Sequence, residues 1–399
     1  MLVIVAPGQG AQTPGFLAPW LELPGFAERL GGWSELAGCD LIASGTTAGR
    51  DEITDTAVAQ PLLVAAAIAA AEVLCGDLGQ ARRLASITAG HSVGELAAGA
   101  IAAVASPEDA MRLVGVRARA MAEAAASEPT GMTAVLGGNE AEVLAAIEAC
   151  GLTPANINGA GQIVAAGTRA QLDAFAAGPP AGARLRPLPV AGAFHTRHMA
   201  PAVSALRAAA AGMTAADPAI VLLSNADGAA VRSGTDWLER ITLQVSAPVR
   251  WDLCMGSLAS LGASALIELP PGGTLAGLAR RALPGVALAA LKTPGDLAAA
   301  RLLLAEHGGP DSHEDAHAPD WRLLVSPLAG TFRTGDGGVP ASPGSCVSAG
   351  AELGRVEVRT GQHPIAPSFP GTIIEWLVED GDPVDAGQPL VRLQPEGTG

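Results

Sequence analysis

The sequence is poor in aromatic residues and has almost no lysine. None of its 399 residues is tyrosine and only 3% are aromatic, so the core must consist of small aliphatic side chains, which suit helices packed closely on a sheet. Lys292 is the single lysine. Acidic residues give a formal net charge of −15, and such a surface repels nucleic acid and anionic lipid. We therefore expect neither nucleic acid nor a membrane as a partner.

Cysteines and long apolar runs are also scarce. The five cysteines are scattered and never spaced as CxxC, which argues against a zinc or disulfide framework and fits a reducing compartment. The N-terminus MLVIVAPGQG lacks a basic segment, and its apolar run is too short for a signal peptide. The longest apolar helical run, 62–71, is bounded by Pro61 and Glu72 and is predicted to be too short to span a bilayer. We expect a cytoplasmic protein.

The order of apolar patterns divides the chain into two domains. Strand and helix patterns alternate over 1–306 and predict an α/β domain. Within it, residues at about 128–191 follow the order β-α-β-β-α-β, which predicts a small inserted subdomain. Residues 307–320 are acidic and contain glycine and proline, as in a linker. Residues 321–395 change to short strands with Gly and Pro turns and no helical pattern.

The stretch TAGHSVGELAAG at 88–99 raises the question whether Ser92 is a nucleophile or a serine that merely stands between two glycines. A GxSxG motif between a strand and a helix is typical of a nucleophile elbow. Gly90 and Gly94 permit the sharp turn, and the helix N-terminus supplies N–H donors beneath the serine. Because a strand pattern precedes the motif and a helical pattern follows it, we predict a catalytic Ser92.

A nucleophilic serine needs a base, and seven histidines are available. Four lie in the predicted linker or the second domain: His307, His313, His317 and His363. The pair at 313 and 317 has helical spacing for a metal, but nothing nearby favours a helix, so no metal site is predicted. His91 adjoins the nucleophile, and its side chain is expected to point the other way; His198 is expected on a helix surface. His195 directly follows the small subdomain, at a junction where clefts form, and we predict it as the base.

The loop PGQGAQ at 7–12 follows the first strand and has two possible functions. It partly matches a dinucleotide fingerprint, but the third glycine is at the wrong spacing and Pro14 intervenes. We favour a tight loop whose Gln9 backbone amide faces the elbow. Together with the Val93 amide it would form an oxyanion hole.

These motifs as a set resemble the malonyl-CoA:acyl carrier protein transacylases, over about residues 1–305. The resemblance implies an α/β-hydrolase-like large subdomain with an inserted ferredoxin-like small subdomain. The motifs that carry it are PGQGAQ at 7–12, QPLL at 60–63, GHSVGE at 90–95, RARAM at 117–121, NINGAGQIVAAG at 156–167, GAFHTRHM at 192–199, QVSAPVRW at 244–251 and PGGTLAGLARR at 271–281.

The resemblance implies roles for individual residues. Ser92 is the acyl acceptor and His195 its base, and a backbone carbonyl at Gln244 holds the imidazole in place of an acidic residue. The amides of Gln9 and Val93 form the oxyanion hole. The remaining substrate-binding residues implied are Arg117, Gln244, His91, Gln60 and Asn158.

Arg117 matches the arginine that pairs with the free carboxylate of malonate. A planar guanidinium offers two parallel donors to a carboxylate, and an apolar acyl group would leave it buried and unpaired. We therefore expect selection for dicarboxylic acyl chains. Arg119, two residues further on, is expected to face solvent.

The function implied is ping-pong malonyl transfer from malonyl-CoA to an acyl carrier protein, in fatty acid or polyketide synthesis, without a metal or covalent cofactor. The residues leave three alternatives open. They are a serine esterase, a non-catalytic scaffold for carrier domains, and a trans-acting acyltransferase of a polyketide or malonate-metabolising assembly.

The tail at 321–395 resembles the biotinyl/lipoyl carrier domains, an all-β barrel-sandwich hybrid with two pseudo-symmetric halves. In that family a hairpin presents a lysine between two methionines. Here Thr360 takes the place of the lysine, flanked by Arg359 and Gly361. With Lys292 in the other domain, no biotin or lipoate is expected. The tail is predicted to be a structural or docking module, with a malonyl-CoA-producing carboxylase complex as one hypothetical partner.

Overall fold

The computed structural model describes residues 1–309, 322–334, 342–358 and 361–395. The chain folds into two compact units, Met1–His313 and Glu314–Gly399. In the first unit the strands are β1 Leu2–Ala6, β2 Ile87–Gly90, β3 Thr130–Gly137, β4 Thr153–Gly159, β5 Gln162–Thr168, β6 Ala183–Pro187, β7 Val221–Leu223, β8 Val249–Arg250, β9 Ala265–Glu268 and β10 Ala287–Ala290. Its helices are α1 Ala18–Leu21, α2 Phe26–Ala37, α3 Leu41–Thr46, α4 Arg50–Thr54, α5 Thr56–Cys75, α6 Leu78–Leu84, α7 Gly94–Ile101, α8 Pro107–Ala126, α9 Glu140–Ala149, α10 Arg169–Ala177, α11 Ala200–Ala210, α12 Gly234–Leu243, α13 Trp251–Ser260, α14 Thr274–Ala282 and α15 Leu297–His307.

A parallel five-stranded sheet forms the centre of the first unit, in the order β10-β9-β1-β2-β7. All five residues of β1 and all four of β2 are buried, as expected for strands that have helices on both faces. Because the strands run in one direction, the loops after β1, β2 and β7 meet at the same edge of the sheet, where ligands bind in such folds.

Helix α5 extends beyond the apolar run at 62–71 on both sides. It has 20 residues and contains Pro61, and Asp55 caps it by accepting a hydrogen bond from the Ala57 N–H. In the described part of the chain it is the one helix long and apolar enough to cross a membrane, but 78% of its most apolar window is buried inside the fold. The apolar run at 62–71 is thus part of a longer helix, and in this structure α5 is a core helix.

The small subdomain consists of β3, α9, β4, β5, α10 and β6, in the order β-α-β-β-α-β. Its strands form an antiparallel sheet in the order β6-β3-β5-β4. The sheet continues into the large part of the unit, because β8 pairs in parallel with β4, placing Asn156 opposite Val249. The sequence patterns predicted neither this two-residue strand nor the helices α1–α4.

The second unit is built from strands alone in its described residues. They are β11 Arg322–Val325, β12 Gly330–Thr334, β13 Cys346–Val347, β14 Gly354–Val358, β15 Gly361–Ile365, β16 Gly371–Trp376, β17 Pro383–Val384 and β18 Pro389–Pro395. They form two four-stranded antiparallel sheets, β11-β18-β16-β13 and β15-β14-β12-β17. Moving each strand four places along the unit, cyclically, converts the first order into the second. The two halves of the unit are therefore related by a pseudo-symmetry.

Helix α15 ends at His307, the first residue of the predicted linker. The rest of it from residue 310, including His313 and His317, lies outside the described residues, as do Arg359 and Thr360 of the hairpin between β14 and β15.

Candidate active site

Ser92 lies in a sharp turn between β2 and α7, with a backbone φ of 53°. This left-handed conformation is uncommon for a residue with a side chain. The flanking glycines make the turn possible. A Cβ on Gly90 would come within 2.0 Å of the Gly94 backbone, and one on Gly94 within 2.3 Å of the Ala6 carbonyl oxygen. The GxSxG spacing thus produces the predicted elbow.

His195 lies within hydrogen-bonding distance of Ser92. Its Nε2 is 2.7 Å from Ser92 Oγ, and its Nδ1 is 2.8 Å from the backbone carbonyl oxygen of Gln244. The carbonyl accepts the Nδ1 proton, which leaves Nε2 as the acceptor for the serine hydroxyl. His195 also has a positive φ, 60°, and its N–H donates to the Val245 carbonyl at 3.0 Å. The contact geometry is therefore that of a serine with its general base.

The electrostatic environment keeps this imidazole neutral. Burial and then the nearby positive charge of Arg117 lower the pKa of His195 to about 3, while the Gln244 carbonyl opposes the shift. A neutral imidazole can accept a proton at ordinary pH, whereas a protonated one cannot.

The Gln9 and Val93 residues line the cavity above Ser92. In the described part of the chain, neither backbone N–H donates a hydrogen bond to the protein. Gly8 brings the first loop close to the elbow, since a Cβ there would lie 2.8 Å from the His91 carbonyl oxygen. Both amides are thus available to a ligand oxygen.

Arg117 is fully buried on α8, and its guanidinium lies next to Ser92. Its Nη1 donates to Gln60 Oε1 at 2.5 Å, and its Nη2 donates to Gln244 Oε1 at 2.9 Å and lies 3.4 Å from Ser92 Oγ. Its Nε has no partner among the described residues. Both hydrogen-bond partners are neutral amides. The guanidinium therefore has no carboxylate in direct contact with it, and one of its N–H donors, on Nε, is unused.

The cavity that contains Ser92 has a volume of about 220 Å³. His91 does not turn away from it as expected: its ring lines the cavity, with Nε2 2.9 Å from Asn158 Oδ1. The remaining wall is largely apolar and includes Met121, Met132 and Phe194. A small polar group bound in this cavity would thus lie next to Ser92, and an apolar chain would lie against the other walls.

Two residues at this site were missed by the sequence analysis. Asn225 follows β7 and holds the elbow: its Oδ1 accepts from the Ser92 N–H at 2.7 Å and its Nδ2 donates to the Gly90 carbonyl at 2.8 Å. Its place after a parallel strand next to β2 was the signal that could have found it. Glu95, in the first turn of α7, is buried and accepts from Gln244 Nε2 at 2.5 Å. Burial raises the pKa of Glu95 to about 7.

Two neighbouring residues lie apart from the cavity. The exposed Arg119 donates to the Ala37 carbonyl at 3.1 Å, as expected for the arginine that faces away. His198 does not contact Ser92; its Nδ1 lies 2.8 Å from the Glu128 carboxylate.

An elbow serine, a neutral histidine and two free amides are the groups of an enzyme that forms an acyl ester on a serine. Comparison with known proteins agrees with this class: residues 4–292 match the family model described as the acyl transferase domain. The chain is 52% identical over 297 residues to the malonyl CoA-acyl carrier protein transacylase of Mycobacterium tuberculosis H37Rv, covering 74% of this chain and 98% of that protein. It is 33% identical over 303 residues to the enzyme of the same name from Escherichia coli K12, covering 74% and 97%.

Solved structures show the same similarity. The crystal structure of the Mycobacterium tuberculosis transacylase superimposes with a TM-score of 0.72, covering 74% of this chain and 98% of that one. A malonyl-transacylase in complex with a type II PKS acyl-carrier protein, 28% identical, gives 0.70 and covers 75% and 99%. The chain therefore belongs to the acyl transferase family and, within it, to the malonyl CoA-acyl carrier protein transacylases. The family match ends at 292 and does not reach the second unit.

Proposed function

We propose that the first unit transfers a malonyl group from malonyl-CoA to the phosphopantetheine thiol of an acyl carrier protein, through a malonyl ester of Ser92. The single observation that carries the proposal is the fully buried Arg117 with its Nη2 3.4 Å from Ser92 Oγ and an unpaired Nε. A cation in that place suits an acyl chain with a free carboxylate. The names of the relatives agree, and the product would serve fatty acid or polyketide synthesis.

The first half-reaction loads Ser92. His195 Nε2 takes the proton of the Ser92 hydroxyl while Oγ attacks the thioester carbonyl carbon, and the resulting oxyanion is held by the Gln9 and Val93 amides. The C–S bond then breaks. The imidazolium returns its proton to the departing CoA sulfur, so that CoA leaves as a thiol and malonate remains as an ester.

The second half-reaction reverses these steps with a different thiol. The phosphopantetheine thiol gives its proton to His195 and attacks the malonyl ester, and the Ser92 oxygen leaves with that proton. While the malonyl group is bound, its carboxylate offsets the charge of Arg117. This weakens the main charge that lowers the pKa of His195, so the base accepts the thiol proton more readily than in the empty enzyme.

Arg117 supplies the substrate preference in this proposal. A malonyl carboxylate satisfies its free donors, while an acetyl group leaves a buried guanidinium unpaired, at a cost of several kcal/mol for a buried charge without its partner. His91, Asn158 and Gln60 form the polar part of the acyl pocket. No step requires a metal or a covalent cofactor.

Intact-protein mass spectrometry tests the proposal. Incubation with malonyl-CoA should add one malonyl group that maps to Ser92. Addition of a holo acyl carrier protein should then remove this group from Ser92, and the malonyl group should appear on the carrier protein. A serine esterase would instead release malonate to water at the same rate with or without the carrier. A non-catalytic scaffold would form no adduct.

For the second unit we propose a biotinyl/lipoyl-like fold without the acceptor lysine. The proposal is supported by its two four-stranded sheets, whose strand orders interconvert by a shift of four, and by the β14–β15 hairpin, in which Val358 pairs with Gly361 across a two-residue connection. The connection is Arg359-Thr360, so the position of the modified residue holds threonine.

Restoring the acceptor tests this fold. The wild-type chain should take up no label from a biotin protein ligase with labelled biotin. The triple variant Arg359→Met, Thr360→Lys, Gly361→Met should become biotinylated on the new lysine. Absence of label in a folded triple variant would remove the proposal. Docking on a malonyl-CoA-producing carboxylase and the cytoplasmic location stay predictions, the former open to a pull-down with the isolated tail.

A further inference from the structure

Arg117 is held by amides and not by a carboxylate, so a further residue must orient those amides. Gln244 Oε1 accepts from Arg117 Nη2 at 2.9 Å. A glutamine amide is planar and has two orientations that differ by exchanging its oxygen and nitrogen. Only the orientation with the oxygen toward the guanidinium serves Arg117, because the other would face donor to donor.

Three acceptors surround the opposite end of the Gln244 amide. Its Nε2 donates to Glu95 Oε2 at 2.5 Å, lies 3.1 Å from the Ser92 carbonyl oxygen, and is 3.3 Å from Asn225 Oδ1. The Glu95 contact is the shortest of the three, and its acceptor is the one carboxyl oxygen among them. Hydrogen bonds to charged groups are also the strongest.

Glu95 is itself held in place from the sheet edge. It is buried in the first turn of α7, three residues after the serine, and its Oε2 also accepts from the Asn225 N–H at 3.3 Å. Its other oxygen, Oε1, has no hydrogen-bond partner among the described residues. Burial lowers the pKa of Arg117, and the nearby Glu95 carboxyl, which makes no hydrogen bond to it, opposes that shift.

We infer that Glu95 is a positioning residue for carboxylate recognition. It sets the orientation of the Gln244 amide, and the amide oxygen in turn holds Arg117 where an acyl carboxylate meets it. Glu95 contacts neither the substrate nor the reacting atoms. The inference rests on the proposed malonyl transfer, since only that reaction uses Arg117 in this way.

Two substitutions distinguish the hydrogen-bond acceptor of Glu95 from the rest of its side chain. Glu95→Met keeps the length and removes both oxygens, so the Gln244 amide is free to turn over. Glu95→Gln keeps one oxygen acceptor for Gln244 and Asn225. Glu72→Met is a matched control, because it removes a partly buried carboxylate from α5, where Glu72 pairs with Arg29 at 2.9 Å and lies away from Ser92.

Two probes separate recognition from reactivity. Malonyl-CoA reports carboxylate recognition through the rate of adduct formation on Ser92. An uncharged fluorophosphonate reports only the reactivity of the Ser92–His195 pair. Glu95→Met should lower the malonyl rate by about 10- to 100-fold, the range of a lost hydrogen bond to a charged group, and the fluorophosphonate rate by less than about threefold. Glu95→Gln should lose no more than about threefold of the malonyl rate.

A double-mutant cycle with Arg117→Ala completes the test. Once Arg117 is gone, adding Glu95→Met should change the malonyl rate by less than about twofold, because residues that act through one another are not additive. Three results would each overturn the inference. These are equal loss for both probes in Glu95→Met, additive losses in the double variant, or a Glu95→Gln variant as impaired as Glu95→Met. A wild-type chain that forms no malonyl adduct would overturn both this inference and the proposed function.

Discussion

The two units of this chain differ in what they bury. In the first, buried polar or charged side chains form one hydrogen-bonded network around Ser92, among them Gln60, Glu95, Arg117, His195 and Gln244. In the described part of the second, Ser326 is the one buried polar residue, and apolar side chains such as Phe332 and Val356 fill the interior.

This difference indicates that the first unit carries the chemistry and that the buried residues of the second serve only its fold. A buried charge costs free energy unless it is paired, so a fold keeps such groups only where they are connected, as the first unit does. The second unit has the strand order proposed for a carrier domain and no lysine to carry anything. If this comparison is right, substitutions in the first unit should affect transfer strongly and loss of the second should barely affect it.

The largest effect is expected from Ser92→Ala. Without the hydroxyl there is no ester intermediate, so malonyl transfer should fall by at least about 10³-fold and the adduct should disappear. Transfer to a carrier protein and intact mass check this on the same sample. A variant that still forms a malonyl adduct at another residue would mean that the elbow is not the reacting centre.

Arg117→Ala should lower kcat/KM for malonyl-CoA by about 10²- to 10³-fold, because a charged, bidentate contact to the acyl carboxylate is lost. Acetyl transfer should hold or rise, since no unpaired guanidinium then opposes it. Steady-state kinetics with both thioesters check the prediction. Arg119→Ala on the exposed side of the same helix is the control and should match the wild type, and equal losses with both thioesters would contradict the role in selection.

On the acid side, the reaction rate should fall only at pH values well below the ordinary pKa of a histidine. The lowered pKa of His195 keeps the imidazole neutral until the pH falls toward about 3, so the base is present above that value and lost only as the pH falls through it. Fluorophosphonate labelling of Ser92, in the Glu95→Gln background to remove the nearby carboxyl whose pKa is about 7, should stay nearly constant from about pH 8 to about pH 5.

The same measurement in an Arg117→Met variant sharpens this prediction. Removing the positive charge that disfavours the imidazolium raises the pKa of His195, so the acid limb should move to higher pH. A parent rate that already drops tenfold per pH unit below about 6.5 would show that the imidazole is not perturbed in this way.

The smallest effect is expected from removing the second unit. A chain ending at Gly309 retains the whole acyl transferase match and should keep kcat/KM for malonyl-CoA within about twofold of the full chain. Thermal unfolding of both proteins checks that the shorter one is folded. A loss above about tenfold in a folded fragment would show that the second unit takes part in transfer.

Local sequence patterns predicted the elements that are set by neighbouring residues. The GHSVG stretch predicts a turn that only glycines at 90 and 94 permit, and the small subdomain shows its alternation in the sequence. Helix α5 begins before the apolar run at 62–71, because its cap at Asp55 lies outside that run. The strand β8 was missed because two residues have no period and pair only with a distant strand.

The site divides in the same way. Ser92 lies in a recognisable motif, and His195 was selected because it follows the small subdomain. Glu95 was quoted within the motif GHSVGE but received no role, because its partner Gln244 lies 149 positions away. Asn225 was missed because its one signal, a place after a parallel strand, is shared by other polar residues in the chain.

The sequence by itself determined the turn that exposes Ser92, since backbone crowding at two glycines is a local property. It also determined that the tail has no lysine, since composition needs no fold. Only the tertiary structure decided that residues 92, 95, 117, 195, 225 and 244 meet. Parallel strands bring distant loops to one sheet edge. Burial there keeps His195 neutral, raises the pKa of Glu95 and leaves the Arg117 guanidinium incompletely paired.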